Sequence, residues 1–135
     1  MGKKKTEGVV DAVMGINRFK LRVVENNARI SFACQGVRSV ISKDEQVEAI
    51  DRRGFIFTRR NLLQRAVLVD IEQIDTHGNY FGNLIVKQTG ADYAEVLLKE
   101  GLVHTYSEQK GSYNLEKLKQ AENMAKSSSR GIWAP

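Results

Sequence analysis

A chain of 135 residues, 41% hydrophobic and 27% charged, is long enough to bury a core and too apolar to be a disordered tail; its one cysteine allows no internal disulfide. No apolar run approaches the ~18 residues of a membrane-spanning helix, and no signal-peptide-like apolar stretch follows the basic Lys3-Lys4-Lys5. Net charge is +5 from 21 basic and 16 acidic residues, but without those three lysines the balance is 18 against 16, so total charge does not mark a nucleic-acid-binding surface and the placement of charge must decide.

Residues 1–7 read as a basic tail or linker, and 8–135 as one domain without an internal repeat. Val9, Val10, Ala12 and Val13 form a first strand, ending at the turn Gly15-Ile16-Asn17-Arg18. Phe19, Leu21 and Val23 then alternate with Lys20 and Arg22, the two-residue period of a strand with one buried face. Glu25-Asn26-Asn27 has turn composition, and a third strand follows with Ile30, Phe32 and Cys34 inward and Arg29, Ser31 and Ala33 outward. Short turns between three such strands predict an antiparallel meander.

Residues 36–50 read as a polar loop running into a helix over about 50–64, with Gly54 an irregularity near its start. Val67, Val69 and Ile71 mark a fourth strand, Asp75 to Asn79 a hairpin turn, and Tyr80 to Val86 a fifth strand. Asp92 with Glu95 three residues on suggests a capped helix, with Gly101 at its C-terminal stop. Asn114 is placed as the cap of a last helix whose apolar stripe is Leu115, Leu118, Ala121 and Ala125. Trp133 is expected to pack the end of the chain onto the barrel. Five strands and about three helices predict an α+β fold on a small closed β-barrel, for which the five-stranded OB-fold is the commonest solution.

A barrel strand buries one face and exposes the other, so Lys20, Arg22, Arg29 and Ser31 are expected outside on the second and third strands, where OB-folds hold oligonucleotides. Arg52, Arg53, Arg59, Arg60 and Arg65 occupy a stretch without an acid, and on a helix positions seven apart share a face. That ridge suits a phosphate backbone, an acidic partner surface, or solvent. Cys34 reads as an inert core thiol, and His77 and His104 have no metal-ligand spacing.

Several pieces occur in a specific order. They are Phe57-Thr58-Arg59-Arg60, Val67 to Ile71, Asp75-Thr76-His77-Gly78-Asn79, Gly101-Leu102-Val103, Ala121 to Lys126, and Gly131-Ile132-Trp133. Together they resemble a staphylococcal-nuclease-like domain over about residues 8–134. Gly78-Asn79-Tyr80-Phe81-Gly82 is similar to a repeat of the Tudor-type members, multidomain proteins linked to transcriptional coactivation and RNA silencing. The resemblance implies an OB barrel with three helices. In active members it implies a Ca²⁺ held by two carboxylates and a carbonyl, a Glu acting on the attacking water, and two Arg residues on the phosphate.

Carried over position by position, the two carboxylates fall on Asn17 and Arg38, and the carbonyl on Ser39. The Glu falls on Ile41, and the two arginines on Ala33 and Asn79. An amide, a guanidinium and an aliphatic chain cannot cage a hard dication or accept a proton. The expectation is a catalytically degenerate domain without metal or cofactor. It would bind RNA or single-stranded nucleic acid through Arg18, Lys20, Arg22, Arg29, Arg38, Arg59 and Arg60, with Tyr106 and Tyr113 available for base stacking. Arg38 with Arg18 and Lys20 would form a metal-free phosphate site in the former cleft. The alternatives are a Ca²⁺-dependent nuclease rescued by Asp44 or Glu45, and a protein-binding scaffold. The domain is expected to belong to a longer intracellular chain, in cytoplasm or nucleus, with other domains or proteins as partners and no membrane association.

Overall fold

The alternation in the sequence resolves into the inside and outside of a barrel. The computed structural model describes residues 5–39, 45–106 and 115–133. In chain order the elements are β1 (Thr6–Gly15), β2 (Arg18–Val23), β3 (Arg29–Cys34), β4 (Val37–Arg38), α1 (Glu45–Leu62), β5 (Ala66–Ile74), β6 (Asn79–Val86), α2 (Tyr93–Lys99), β7 (His104–Thr105), α3 (Leu115–Ser127) and a 3-10 turn, Gly131–Trp133. Five strands close in the order β1-β2-β3-β6-β5, with β3 and β6 parallel and the other neighbours antiparallel. This is the expected five-stranded OB barrel with three helices. The barrel begins at Thr6, inside the stretch read as a tail, and Glu7 pairs with Leu68 of β5.

Phe19, Leu21, Phe32, Cys34, Val67, Val69 and Leu84 fill the interior. Phe19 faces Phe32 across β2 and β3, and the Tyr93 ring meets Phe19 edge-on at 6.2 Å between centroids. Full burial of each such side chain contributes about 1.5–3 kcal/mol. Closure leaves no room at Gly82, where a Cβ would lie 1.7 Å from the Asp70 carbonyl oxygen.

Helix α1 starts at Glu45, earlier than the composition of 36–50 suggested. Glu45 and Glu48 look like loop residues in a polar stretch, but in a first turn they complement the helix dipole. The helix runs unbroken through Gly54, whose missing side chain has a packing reason. A Cβ there would sit 2.5 Å from Cδ1 of Ile16, so the glycine lets α1 close onto the β1–β2 turn. A buried hydrogen-bond chain fixes the same contact: Tyr93 Oη donates to Thr58 Oγ1 (2.9 Å), which donates to the Ile16 carbonyl (2.8 Å).

Asp92 caps α2 by accepting from the Ala94 amide. The Gly101 N–H and the Leu102 N–H return to the Leu98 and Leu97 carbonyls, a Schellman stop with Gly101 at φ +70°. Leu118, Ala121 and Ala125 are buried on α3 as the stripe predicted, while Asn114 lies outside the described residues. Trp133 differs from expectation: its turn rests against α1 and α3, and Lys126 Nζ sits 4.6 Å from its ring centroid. Neighbouring Ile132, rather than Trp133, packs on the core. The strands β4 and β7 were not expected, because two residues carry no readable period.

Candidate nucleic-acid interface

A hollow of about 520 Å³ opens at one end of the barrel between the β1–β2 turn, the end of β3, β4, the start of α1 and Tyr106. Three local devices shape it. The first is Asn17, whose side chain takes both backbone groups of Cys34: Oδ1 accepts the Cys34 N–H at 2.8 Å, and Nδ2 donates to the Cys34 carbonyl at 3.0 Å. The amide thus stands in for a strand partner beyond the last β2–β3 pair. The second is Ile16, seated against Gly54 of α1.

The third is the small β4–β7 ladder, which pairs Arg38 with His104 and Val37 with Thr105, and is extended by the Tyr106 N–H bonding the Gly36 carbonyl at 2.8 Å. It places the Arg38 guanidinium carbon 4.1 Å from the centroid of the Tyr106 ring, within cation–π range. Buried Glu122 of α3 holds the ladder from behind. Its carboxylate accepts from the Thr105 N–H (2.7 Å) and the Thr105 hydroxyl (3.1 Å), and pairs with Lys126 Nζ at 3.7 Å.

Sequence reasoning missed Glu122, yet a signal was present. It stands four residues after Leu118, on the apolar face of α3, where a carboxylate needs a built-in partner. It also missed Asp51 of α1, the one carboxylate among the described residues lining the hollow, where Arg18 and Arg38 are the described cations. Ala33 and Ser39 line the hollow as well, and Cys34 contributes to its wall. Burial, reinforced by Asp92, pushes the Cys34 thiol well above its ordinary value, so it stays a neutral core group.

Asn79 is elsewhere, locked into the β5–β6 hairpin. Asp75 Oδ1 accepts its N–H at 2.8 Å and Oδ2 its side-chain amide at 3.1 Å. Those two bonds hold the Asp75 carboxyl below its ordinary range. Ile41, Asp44 and Tyr113 lie outside the described residues.

The described donors do not suit calcium. The Asn17 amide is occupied by the Cys34 backbone, Arg38 brings positive charge to the mouth, and among the described residues Asp51 alone supplies a carboxylate to the hollow. Among the described residues no group of three His, Cys, Asp or Glu side chains could hold a metal ion.

The expected trio of Arg38, Arg18 and Lys20 is divided. Lys20 turns to a neighbouring shallow hollow with Asp11, Arg22, Arg29 and Gln64, and donates to Ser31 Oγ at 2.7 Å. Arg22 and Arg29 share Asp11, at 3.7 and 3.4 Å, so one carboxylate compensates part of this face. Arg18, Lys20 and Arg22 still follow one another along the outer side of β2, leading away from the cleft.

The five-arginine ridge is also divided. Arg52, Arg53, Arg59 and Arg60 are exposed on α1, and none lines the cleft. Arg65 follows the helix, bonds Gln88 at 3.4 Å, and borders a separate hollow of about 670 Å³ beside β6 and α2.

A closed OB barrel carrying three helices, with a polar hollow between the β1–β2 turn and β4, is the architecture of a nuclease-fold domain. The chain belongs to the staphylococcal nuclease homologue family, whose profile matches residues 36–135. Its relatives are of the Tudor type. It is 26% identical to staphylococcal nuclease domain-containing protein 1 of Drosophila melanogaster over 96% of this chain and 15% of that protein. It is 28% identical to ribonuclease TUDOR 1 of Arabidopsis thaliana over 96% of this chain and 13% of that protein. With ribonuclease TUDOR 2 of the same plant it shares 30% identity over 70% of this chain and 9% of that protein. The chain therefore spans a small fraction of the relatives it matches. Among the described residues no helix is long and apolar enough to cross a membrane.

Proposed function

We propose that this domain binds RNA, or single-stranded nucleic acid generally, in the cleft and along β2 and β3, and does not cut it. The observation that carries the reading is the Arg38 guanidinium stacked on Tyr106 at a hollow that also holds Asn17, its amide taken up by the Cys34 backbone; the resemblance would place calcium ligands at Asn17 and Arg38. A guanidinium offers a phosphate two parallel N–H donors without metal, and the tyrosine ring beneath it offers a face to a base. Arg18 lies in the same hollow, and Lys20, Arg22 and Arg29 continue the basic surface outward. Catalysis would need an anionic cage for the ion and a carboxylate beside the water, and the described lining supplies Asp51 alone.

The domain acts as one module of a longer, Tudor-type chain in cytoplasm or nucleus, where coactivation and RNA silencing are the processes its resemblance suggests. In such a chain, weak single-module contacts are strengthened by linkage.

The test pairs two assays on the chain. Single-stranded RNA binding is measured at low and physiological salt, and RNA cleavage with Ca²⁺ and with chelator. Salt-sensitive binding without cleavage is the expected result. Absence of binding would defeat the reading. Chelator-sensitive cleavage would restore an active nuclease using Glu45 or a residue outside those described.

A further inference from the structure

The outward face of α1 carries a second charged surface that the cleft does not use. On a helix the neighbours of residue i are i−4, i−3, i+3 and i+4. Around Ile56 those positions are Arg52, Arg53, Arg59 and Arg60, all four exposed. Ile56 itself is 54% exposed, although a β-branched apolar side chain ordinarily seeks the core. Among the described residues none of the four guanidinium groups has a carboxylate within ion-pair distance or a hydrogen-bond partner. On the strand face, by contrast, Asp11 answers Arg22 and Arg29.

We infer that this face docks an acidic protein segment, an amphipathic helix with an apolar anchor that covers Ile56 and carboxylates that meet the four guanidinium forks. An apolar centre inside an arginine rim is the anatomy of a protein–protein hot spot. A phosphate backbone matches the charge but brings nothing to cover Ile56, and the exposed arc between the arginines carries no aromatic ring for a base to stack on. A second copy of the chain is excluded by the same geometry. Antiparallel pairing of Ile56 on Ile56 sets Arg52 against Arg60 and Arg53 against Arg59, and parallel pairing sets each arginine against itself. The spacing is also matched. Arg52 to Arg59 and Arg53 to Arg60 each span seven residues, about 10 Å at 1.5 Å per residue, which equals two turns of a facing helix with glutamates seven apart.

The probe is a labelled helical peptide with glutamates at the four positions around a central leucine, titrated against the whole chain by fluorescence anisotropy. Single-stranded RNA is titrated in parallel. Salt-sensitive peptide binding is expected. Arg59→Gln with Arg60→Gln should weaken it about tenfold, and Ile56→Ser about fivefold, while Ile56→Ser keeps RNA affinity within about twofold. Circular dichroism confirms that each variant is folded. As a check independent of any loss of binding, Arg59→Glu with Arg60→Glu should bind a peptide whose facing glutamates are replaced by lysine. Failure of the parent peptide to bind overturns the inference, as does indifference of binding to Ile56→Ser. A variant that loses RNA while keeping the peptide would reassign the ridge to nucleic acid and equally overturn it.

Discussion

The molecule carries two basic surfaces that look alike in the sequence and differ in the fold. On the strands, Arg22 and Arg29 converge on Asp11 and Lys20 bonds Ser31, so part of the charge is already answered within the barrel. On α1, four arginines surround an exposed isoleucine and meet no described carboxylate. A count of basic residues cannot separate these cases; the location of the acids does. The strand face leads into a cleft with an aromatic ring, which suits nucleic acid, whereas the helix face has an apolar centre, which suits a protein.

Removal of Glu122 should have the largest effect, and on one side of this contrast only. Glu122→Ala leaves the half-buried Thr105 N–H without its carboxylate acceptor and loosens the ladder that presents Arg38 and Tyr106. A loss of about 1–3 kcal/mol in denaturant-induced unfolding is expected, together with weaker RNA binding and unchanged peptide binding by α1. Equal damage to both surfaces would show that they are not independent. Arg38→Ala comes next. Loss of one charge-assisted phosphate contact should lower RNA affinity about tenfold and reduce the slope of affinity against salt by about one unit. An unchanged slope would place the RNA elsewhere.

Asp11→Asn tests the compensation directly. Freed of their shared carboxylate, Arg22 and Arg29 should raise RNA affinity about threefold and steepen its salt dependence. If affinity falls instead, Asp11 positions the two arginines for RNA rather than diverting them. The smallest effect is expected from acid at the hairpin, which belongs to neither surface. Hydrogen bonds to Asn79 hold the folded-state pKa of Asp75 below its ordinary value of 3.8. Its contribution to hairpin stability is therefore present above that value and lost as pH falls through the lower, folded-state one. The Asn79 amide resonance should report this loss in an acid titration, and Asp75→Asn should abolish the titration.

Much of the barrel was legible because strand alternation is a local signal that burial enforces. Phe19, Leu21, Phe32 and Cys34 point inward as their spacing requires, and Asp92 and Gly101 begin and end α2 as their backbone preferences require. The start of α1 was misjudged because Glu45 and Glu48 favour a solvated loop and a helix N-terminus alike, and only the dipole of a formed helix distinguishes them. The cleft was half legible. Arg38 and Tyr106 could each be named, but no periodicity reveals that β4 pairs with β7, and so their stacking was not foreseen. Lys20 was grouped with Arg38 by its proximity in the sequence to Arg18, although the outer face of the strand turns it toward Asp11.

The amino-acid order by itself determined which side chains lie inside the barrel and where α2 begins and ends. Those are properties of a residue and its near neighbours, set by hydrophobic period, backbone preference and side-chain chemistry. Tertiary structure alone decided which charges are answered, that Glu122 braces Thr105 from 17 residues away, and that Asn17 completes the Cys34 backbone across a strand end. Pairing of charges and satisfaction of buried polar groups depend on distances between separate elements, and those distances exist only once the barrel has closed.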